Sequence, residues 1–314
     1  VLPGATERDV APVLEEESGK RCGRDFGLCY SPEFIAIGNV ISGLIEPDFF
    51  LIGEFDDRSG RLLENIYRRE AGEDVCVKRM SIASAELTKI SVNAYVTMKI
   101  SFANSLAHIC QGIPSAHAHV VADAVGSDSR IGNKYLKPGG AFGGPCFPRD
   151  NRAFSWVARR AAVDAPLAEA TDSVNQRHID YIAAAIESVT EAKAAVGLLG
   201  LSYKPDTNLM EESQSISIAS KLVLRGYSVV GWDPRVAEFG ATHEIPQMKF
   251  AISLRNCLES VDVAVICTPH KEFTELLPNL LESIQKDLKI VDIWGLLSGH
   301  DLATSPNYHI PGSR

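Results

Sequence analysis

The sequence predicts an α/β protein with a mainly helical middle and a doubly wound parallel sheet in its last third. Three observations carry this. From Ala194 onward, short apolar runs alternate with helix-period segments, the pattern of strand–helix–strand crossover units. Ser84 to Ile109 keeps helical spacing without a Gly or Pro, so a long helix stands in the middle of the chain. The first 78 residues alternate strand and helix as well, and read as the closing part of another α/β unit. The expected divisions are therefore 1–78, 79–191 and 192–314.

Taken in order, Glu7 to Glu17 has apolar positions at helical spacing. Phe26–Tyr30 and Asp48–Gly53 read as short strands, Gly60–Arg69 as a helix, and Val75–Val77 as a last strand. In the long helix, Leu87, Ile90, Tyr95, Met98, Phe102 and Ile109 mark the apolar positions. Ala116–Val125, Asn151–Ala162 and Leu167–Ser188 are further helices. The last third predicts strands at Ala194–Leu201, Ser228–Trp232, Val261–Cys267 and Leu288–Ile293. Helices at Ser213–Leu224, Leu254–Glu259 and Phe273–Gln285 fall between them, the first stopped by Gly226. Gly197 and Gly200 suggest close strand-to-helix packing.

A chain of 314 residues exceeds one ordinary core and suits two or three domains. With 45% hydrophobic and 23% charged residues it reads as a globular protein. A net charge of −9 supplies no basic face, which argues against nucleic acid or an anionic membrane as partner. No apolar run reaches the length of a membrane span, and no secretory signal is evident. Seven widely spaced cysteines suit neither a disulfide framework nor a zinc site, so no metal and a reducing cytoplasm are expected.

The most informative stretch is Pro138-Gly-Gly-Ala-Phe-Gly-Gly-Pro-Cys-Phe-Pro-Arg-Asp150. Glycine allows close backbone approach and positive φ, and proline stiffens the chain, so the loop reads as a rigid cradle presenting Cys146. A thiol there can be a small buried hydrophobe or a nucleophile. Arg149, Asp150 and the polar helix upstream favour the nucleophile.

Phe142-Gly-Gly-Pro-Cys-Phe-Pro-Arg-Asp150 resembles the catalytic loop of the UDP-glucose/GDP-mannose dehydrogenase family, the nucleotide-sugar 6-dehydrogenases. Ser31-Pro-Glu-Phe34, Glu86-Leu-Thr-Lys-Ile-Ser-Val-Asn93, Asp128-Ser-Arg-Ile-Gly132 and Tyr203-Lys-Pro-Asp-Thr207 carry the same resemblance, in the same order. The resemblance implies a remnant of an N-terminal Rossmann-like domain, a central helical dimerisation region and a C-terminal Rossmann-like domain for the nucleotide. It also implies a homodimer, NAD as cofactor and a UDP- or GDP-linked sugar as substrate. The reaction implied is a two-step oxidation of C6 to the acid through a cysteine thiohemiacetal and thioester.

By the same resemblance, Cys146 is the nucleophile, Lys89 and Asn93 stabilise the oxyanion, and Glu33 and Asp150 serve thioester hydrolysis. Lys89 and Asn93 are four apart and so share a helix face. Arg130, Phe142, Gly143, Tyr203 and Lys204 fall at substrate-binding positions, Arg130 reaching a neighbouring subunit. Gly139, Gly140 and Gly144 would likewise open the loop backbone to the sugar. Glu33 and Glu211 fall at cofactor-facing positions.

The chain departs from the family pattern at Pro145 (usually Ser), Glu211 (usually Arg), Trp294 (usually Arg, after Asp292-Ile) and Ile37 (often Glu). The first segment has no Gly-x-Gly-x-x-Gly turn, and Val1-Leu-Pro-Gly-Ala reads as a strand end and turn. The expectation is a chain lacking most of the NAD-binding domain, with weak NAD binding. A non-catalytic nucleotide-sugar-binding or dimerisation module is the alternative. Tyr135-Leu-Lys-Pro-Gly139 leans towards GDP-mannose types, while Cys146-Phe-Pro-Arg-Asp150 fits UDP-glucose types, which are favoured slightly.

Overall fold

The computed structural model describes residues 1–35, 40–236, 245, 247–284 and 286–313. Ile37 lies outside them. The chain divides into two compact units, Val1–Tyr95 with Asp150–Ala165, and Val96–Arg149 with Pro166–Arg314.

The first unit opens with one irregular turn, Thr6–Val10, running into α1 (Ala11–Ser18), which stops at Gly19 in the left-handed region. The orphan N–H groups at its start are met by a side chain from far along the chain. Glu86, fully buried on the long helix, accepts from Gly4 N at 2.5 Å and Thr6 N at 2.9 Å. Three strands follow, β1 (Cys29–Tyr30), β2 (Phe50–Glu54) and β3 (Val77–Ser81), in the order β1-β2-β3. Helix α2 (Val40–Ile45) precedes β2, and α3 (Asp57–Ala71) joins β2 to β3.

Two expectations shift here. The strand predicted over Phe26–Tyr30 shrinks to Cys29–Tyr30 and runs antiparallel to β2, so this sheet is mixed. The residues before it are spent in a turn: Gly23 has φ +76° and its N–H donates to Phe26 O. The strand predicted at Val75–Val77 instead occupies Val77–Ser81, parallel to β2. Its apolar pattern is hidden by Arg79, whose guanidinium pairs with Glu54 at 2.7 Å, Asp57 at 2.7 Å and Glu64 at 3.2 Å.

Helix α4 (Ile82–Gln111) is the long helix expected from the unbroken spacing. Helices α5 (Ala118–Gly126), α6 (Phe147–Arg160) and α7 (Pro166–Val189) follow. The second unit is built on a six-stranded, all-parallel sheet of β4 (Ala195–Leu199), β5 (Ser228–Trp232), β6 (Lys249–Phe250), β7 (Val263–Ile266), β8 (Lys289–Asp292) and β9 (Tyr308–His309). Its order is β6-β5-β4-β7-β8-β9. The edge pairs β6 and β9 are two residues each, too short for a period-2 pattern to reveal.

Both faces of this sheet are covered, which explains why its strands read as continuous apolar runs. Val196 and Leu198 pack on one side with Ile182 and Ile186 of α7 and Ile218 and Leu222 of α8 (Gln214–Leu224). Leu199, Ala264 and Ile266 pack on the other with Leu258 of α9 (Leu254–Ser260) and Phe273 of α10 (Lys271–Ser283). The strand order reverses between β4 and β7, so the ligand crevice of such a sheet lies at their carboxyl ends. Among the described residues, no helix is long and apolar enough to cross a membrane, and no cluster of His, Cys, Asp or Glu could hold a metal ion.

Candidate active site

In the second unit the cysteine loop has no regular structure of its own, yet side chains from three helices hold much of its backbone. Asn104 of α4 accepts from Gly139 N and donates to Gly140 O, both at 3.0 Å. Gln214, at the start of α8, accepts from Ala141 N at 2.8 Å. Asn175 of α7 accepts from Phe142 N at 2.8 Å and donates to Phe142 O at 2.9 Å. His178 Nε2, one turn further on, donates to Gly139 O at 2.7 Å, and its Nδ1 meets His108 Nε2 at 2.9 Å. A carbonyl can only accept, so His178 carries its proton on Nε2 and accepts from His108 on Nδ1. Burial pushes the His178 imidazole down to about 4, against the partial support of the Gly139 carbonyl.

The loop glycines are explained by protein rather than by open space. A Cβ on Gly139 would lie 2.3 Å from the Trp294 ring, and one on Gly143 would lie 2.1 Å from Glu212 O. Gly144, at φ +81°, lies flat on Tyr203, and its N–H donates to Glu211 O at 3.1 Å. The side each glycine opens is therefore taken by the chain itself. Phe142 is buried, and the departure at Trp294 has a role: its Nε1 donates to Cys267 O at 2.8 Å while its ring covers Gly139. Gln214 Nε2 donates to the same carbonyl at 2.7 Å. Cys146 is exposed and immediately precedes α6, at a helix end whose partial charge favours anions.

Tyr203 and Lys204 follow β4 at the crevice end of the sheet. Burial, and then the neighbouring Cys146 sulfur, push the Tyr203 phenol up. Burial holds the half-buried Lys204 ammonium below its usual value, and its Nζ lies 5.9 Å from the Tyr203 ring centre. Beneath them Asp233, Ser202 and His270 form a fully buried cluster, with His270 Nε2 and Ser202 Oγ 3.2 and 3.1 Å from the same Asp233 oxygen. Asp233 also accepts from the N–H groups of Leu201 and Ser202, so the cluster pins the turn after β4. Arg130 is exposed and paired with Asp128 at 2.6 Å. The Glu211 side chain is exposed, and only its carbonyl serves the loop.

In the first unit, Asn93 Nδ2 donates to buried Asp150 at 2.7 Å, which joins two of the expected site residues. Lys89 donates to the Glu33 carbonyl and stands 4.5 Å from the centre of the Phe34 ring. The Glu33 side chain is exposed. Tyr30, which the sequence reading passed over, belongs with this group. Burial, then the charges of Glu86, Glu33 and Asp150, push its phenol up to about 12.

The fold thus supplies a doubly wound parallel sheet with a crevice at its switch point, and an exposed thiol on a clamped loop. Comparison with known proteins carries this further. Residues 1–70 match the NAD binding domain of the UDP-glucose/GDP-mannose dehydrogenase family, 83–177 its central domain and 197–299 its UDP binding domain. A UDP-glucose 6-dehydrogenase of Haloferax volcanii is 34% identical over 285 residues, 88% of this chain and 64% of that protein. A GDP-mannose 6-dehydrogenase of Pseudomonas aeruginosa is 31% identical over 310 residues, 95% of this chain and 69% of that one. The structure of a UDP-glucose dehydrogenase from Pyrobaculum islandicum superposes with a TM-score of 0.87 at 28% identity, covering the whole of this chain and 69% of that one. The chain belongs to the UDP-glucose/GDP-mannose dehydrogenase family. It spans 64% of the length of the Haloferax relative and of a GDP-mannose 6-dehydrogenase of Pseudomonas putida.

The match over residues 1–70 corrects the expectation that most of the NAD-binding domain is lacking. NAD is the cofactor that this match implies. The described residues of the first unit do not themselves form a diphosphate cradle. They hold no Gly-x-Gly-x-x-Gly turn, and the amino end of α3, where an anion would sit, is occupied by Asp56, which accepts from Ser59 N at 2.9 Å.

Proposed function

We propose that this chain serves a nucleotide-sugar 6-dehydrogenase, which oxidises C6 of a UDP- or GDP-linked hexose, UDP-glucose first, from alcohol to carboxylate. The observation that carries this is the exposed Cys146 on a loop clamped by buried side chains, within the residues that match the family's central domain. In this reading 1–78 serves the cofactor, 79–191 the thiol chemistry and subunit contact, and 192–314 the nucleotide.

The alcohol first loses a hydride and a proton to become an aldehyde. The Cys146 thiolate adds to the aldehyde carbon, and loss of a second hydride from the thiohemiacetal leaves a thioester. Water then breaks the C–S bond, releasing the carboxylate and restoring the thiol. Bound NAD would supply the hydride acceptor, two equivalents per sugar. Lys89 and Asn93 steady the oxygen at C6. Asp150, oriented by Asn93, and Glu33 position and deprotonate the water. Lys204 meets the diphosphate and Tyr203 flanks the nucleotide sugar, whereas the backbone expected to border the sugar at Phe142 and Gly143 is taken by Asn175 and Glu212. The Glu211 carboxylate weakens cofactor binding where relatives of the family place Arg.

A homodimer completes the site through Arg130. Its support is the apolar stripe on α4, where Tyr95, Phe102 and Ile109 recur every seven residues at 62, 52 and 57% exposure. Phe102→Glu should convert a dimer to a monomer in light scattering; an unchanged mass removes α4 from the interface. The reaction is tested by NADH and uronate yields with UDP-glucose and GDP-mannose. Two NADH per acid are expected, and no acid after Cys146→Ala. Acid formed by Cys146→Ala at the parent rate would sink the reading.

A further inference from the structure

The position of Cys146 depends on the shape of the loop that carries it. The thiol is exposed, and the four residues before it, Phe142 to Pro145, form no helix or strand. A loop without a ladder takes its shape from whatever side chains satisfy its backbone. Two anchors bracket this stretch. Downstream, Gly144 N donates to Glu211 O at 3.1 Å. Upstream, Phe142 is held at both of its backbone groups by the single amide of Asn175, at 2.8 and 2.9 Å.

Asn175 is suited to this as few side chains are. It is 5% exposed, so water does not compete for either bond. A primary amide presents an acceptor and a donor side by side, the complement of one residue's N–H and C=O. Its own placement is firm, because α7 packs through Ile179, Ile182 and Ile186 into the core of the parallel sheet. The other loop contacts act further from the thiol. Asn104 and His178 reach Gly139 and Gly140, and Gln214 reaches Ala141.

We propose that Asn175 is a positioning residue that fixes the register of the cysteine loop by holding both backbone groups of Phe142, and so places the Cys146 thiol for attack on the substrate carbon. This rests on the reading of Cys146 as nucleophile, and the test separates the two. Three variants suffice: Asn175→Ala, Asn175→Asp, and Thr171→Val as a control at another buried position of the same helix. Amide hydrogen exchange of the 143–146 segment reports the clamp without reference to activity. Asn175→Ala should speed it at least ~10-fold while Thr171→Val leaves it unchanged.

In the dehydrogenase assay, Asn175→Ala should lower kcat about 100-fold with KM and UDP affinity little changed, since a displacement of order 1 Å is felt in the reaction rather than in binding. Asn175→Asp adds a signature that lost stability would not produce. Only its protonated acid offers an acceptor and a donor together, so its kcat relative to the parent should rise as pH falls, while that of Asn175→Ala should not. Unchanged exchange at 143–146 in Asn175→Ala, or a fall in UDP affinity matching the fall in kcat, overturns the proposal. Loop exchange that responds as expected in a chain whose Cys146→Ala variant still forms acid upholds the clamp and removes the thiol mechanism.

Discussion

Replacing His178 by Gln should flatten the dependence of stability on pH between 6.5 and 4. The wild-type imidazole is 1% exposed, donates Nε2–H to Gly139 O and is held at about 4, against about 6.5 in an unfolded chain. Because the folded value is the lower one, the unfolded state takes up a proton first as pH falls. Stability from this group is complete above pH 6.5, declines through the interval, and is lost near pH 4. The gap of roughly 2.5 units at 1.36 kcal/mol each gives about 3 kcal/mol. Gln places an N–H where Nε2 stood and does not titrate, so Gly139 O keeps a donor. Urea unfolding followed by the fluorescence of Trp232 and Trp294, repeated from pH 7.5 to 4.5, should show the parent losing about 3 kcal/mol more than His178→Gln. Burial also lowers the imidazoles of His119 and His309, and the comparison of the two proteins removes that shared background. Parallel curves for parent and variant would refute the assignment of a neutral, proton-donating His178.

Gly139→Ala should lower the melting temperature by the equivalent of 1–3 kcal/mol, roughly the overpacking range, because its Cβ would meet the Trp294 ring at 2.3 Å; Trp294→Leu in the same chain should recover most of the loss in a thermal melt. Glu86→Leu should destabilise by about 2–4 kcal/mol through two orphaned N–H groups, read as faster hydrogen exchange at Gly4 and Thr6; unaltered exchange there would exclude the cap. Brief alkylation should modify Cys146 and Cys76, both exposed, and spare Cys257 and Cys267, which are buried with thiols pushed up to about 12; peptide mass spectrometry would show the reverse order if the loop description were wrong.

What could be read from the residues was what is local. The unbroken spacing from Ser84 to Ile109 foretold α4, and the apolar runs foretold the parallel sheet because both its faces are buried. The glycine loop announced Cys146 because its motif is contiguous. The clamps on that loop were not visible, since Asn104, Asn175, His178 and Gln214 lie 33 to 73 residues from the groups they hold. Their one sequence signal was faint: polar residues recurring at helical spacing on otherwise apolar helix faces, Asn104 with His108 and Asn175 with His178. Arg79 concealed β3 because its charge is cancelled by three acids, none of which is a sequence neighbour. Trp294 read as a lost arginine, whereas its ring fills the space Gly139 leaves.

The central claim is that Cys146 carries the substrate covalently between the two oxidations. It is tested most directly by stalling hydrolysis in the Asp150→Asn variant. This variant would be incubated with NAD and the 6-aldehyde of UDP-glucose, in parallel with that of GDP-mannose, then digested and analysed by mass spectrometry. An acyl adduct is expected on the peptide containing Cys146, absent without NAD and released by hydroxylamine. An unmodified Cys146 peptide, in a preparation whose parent converts the same aldehyde to acid, would contradict it.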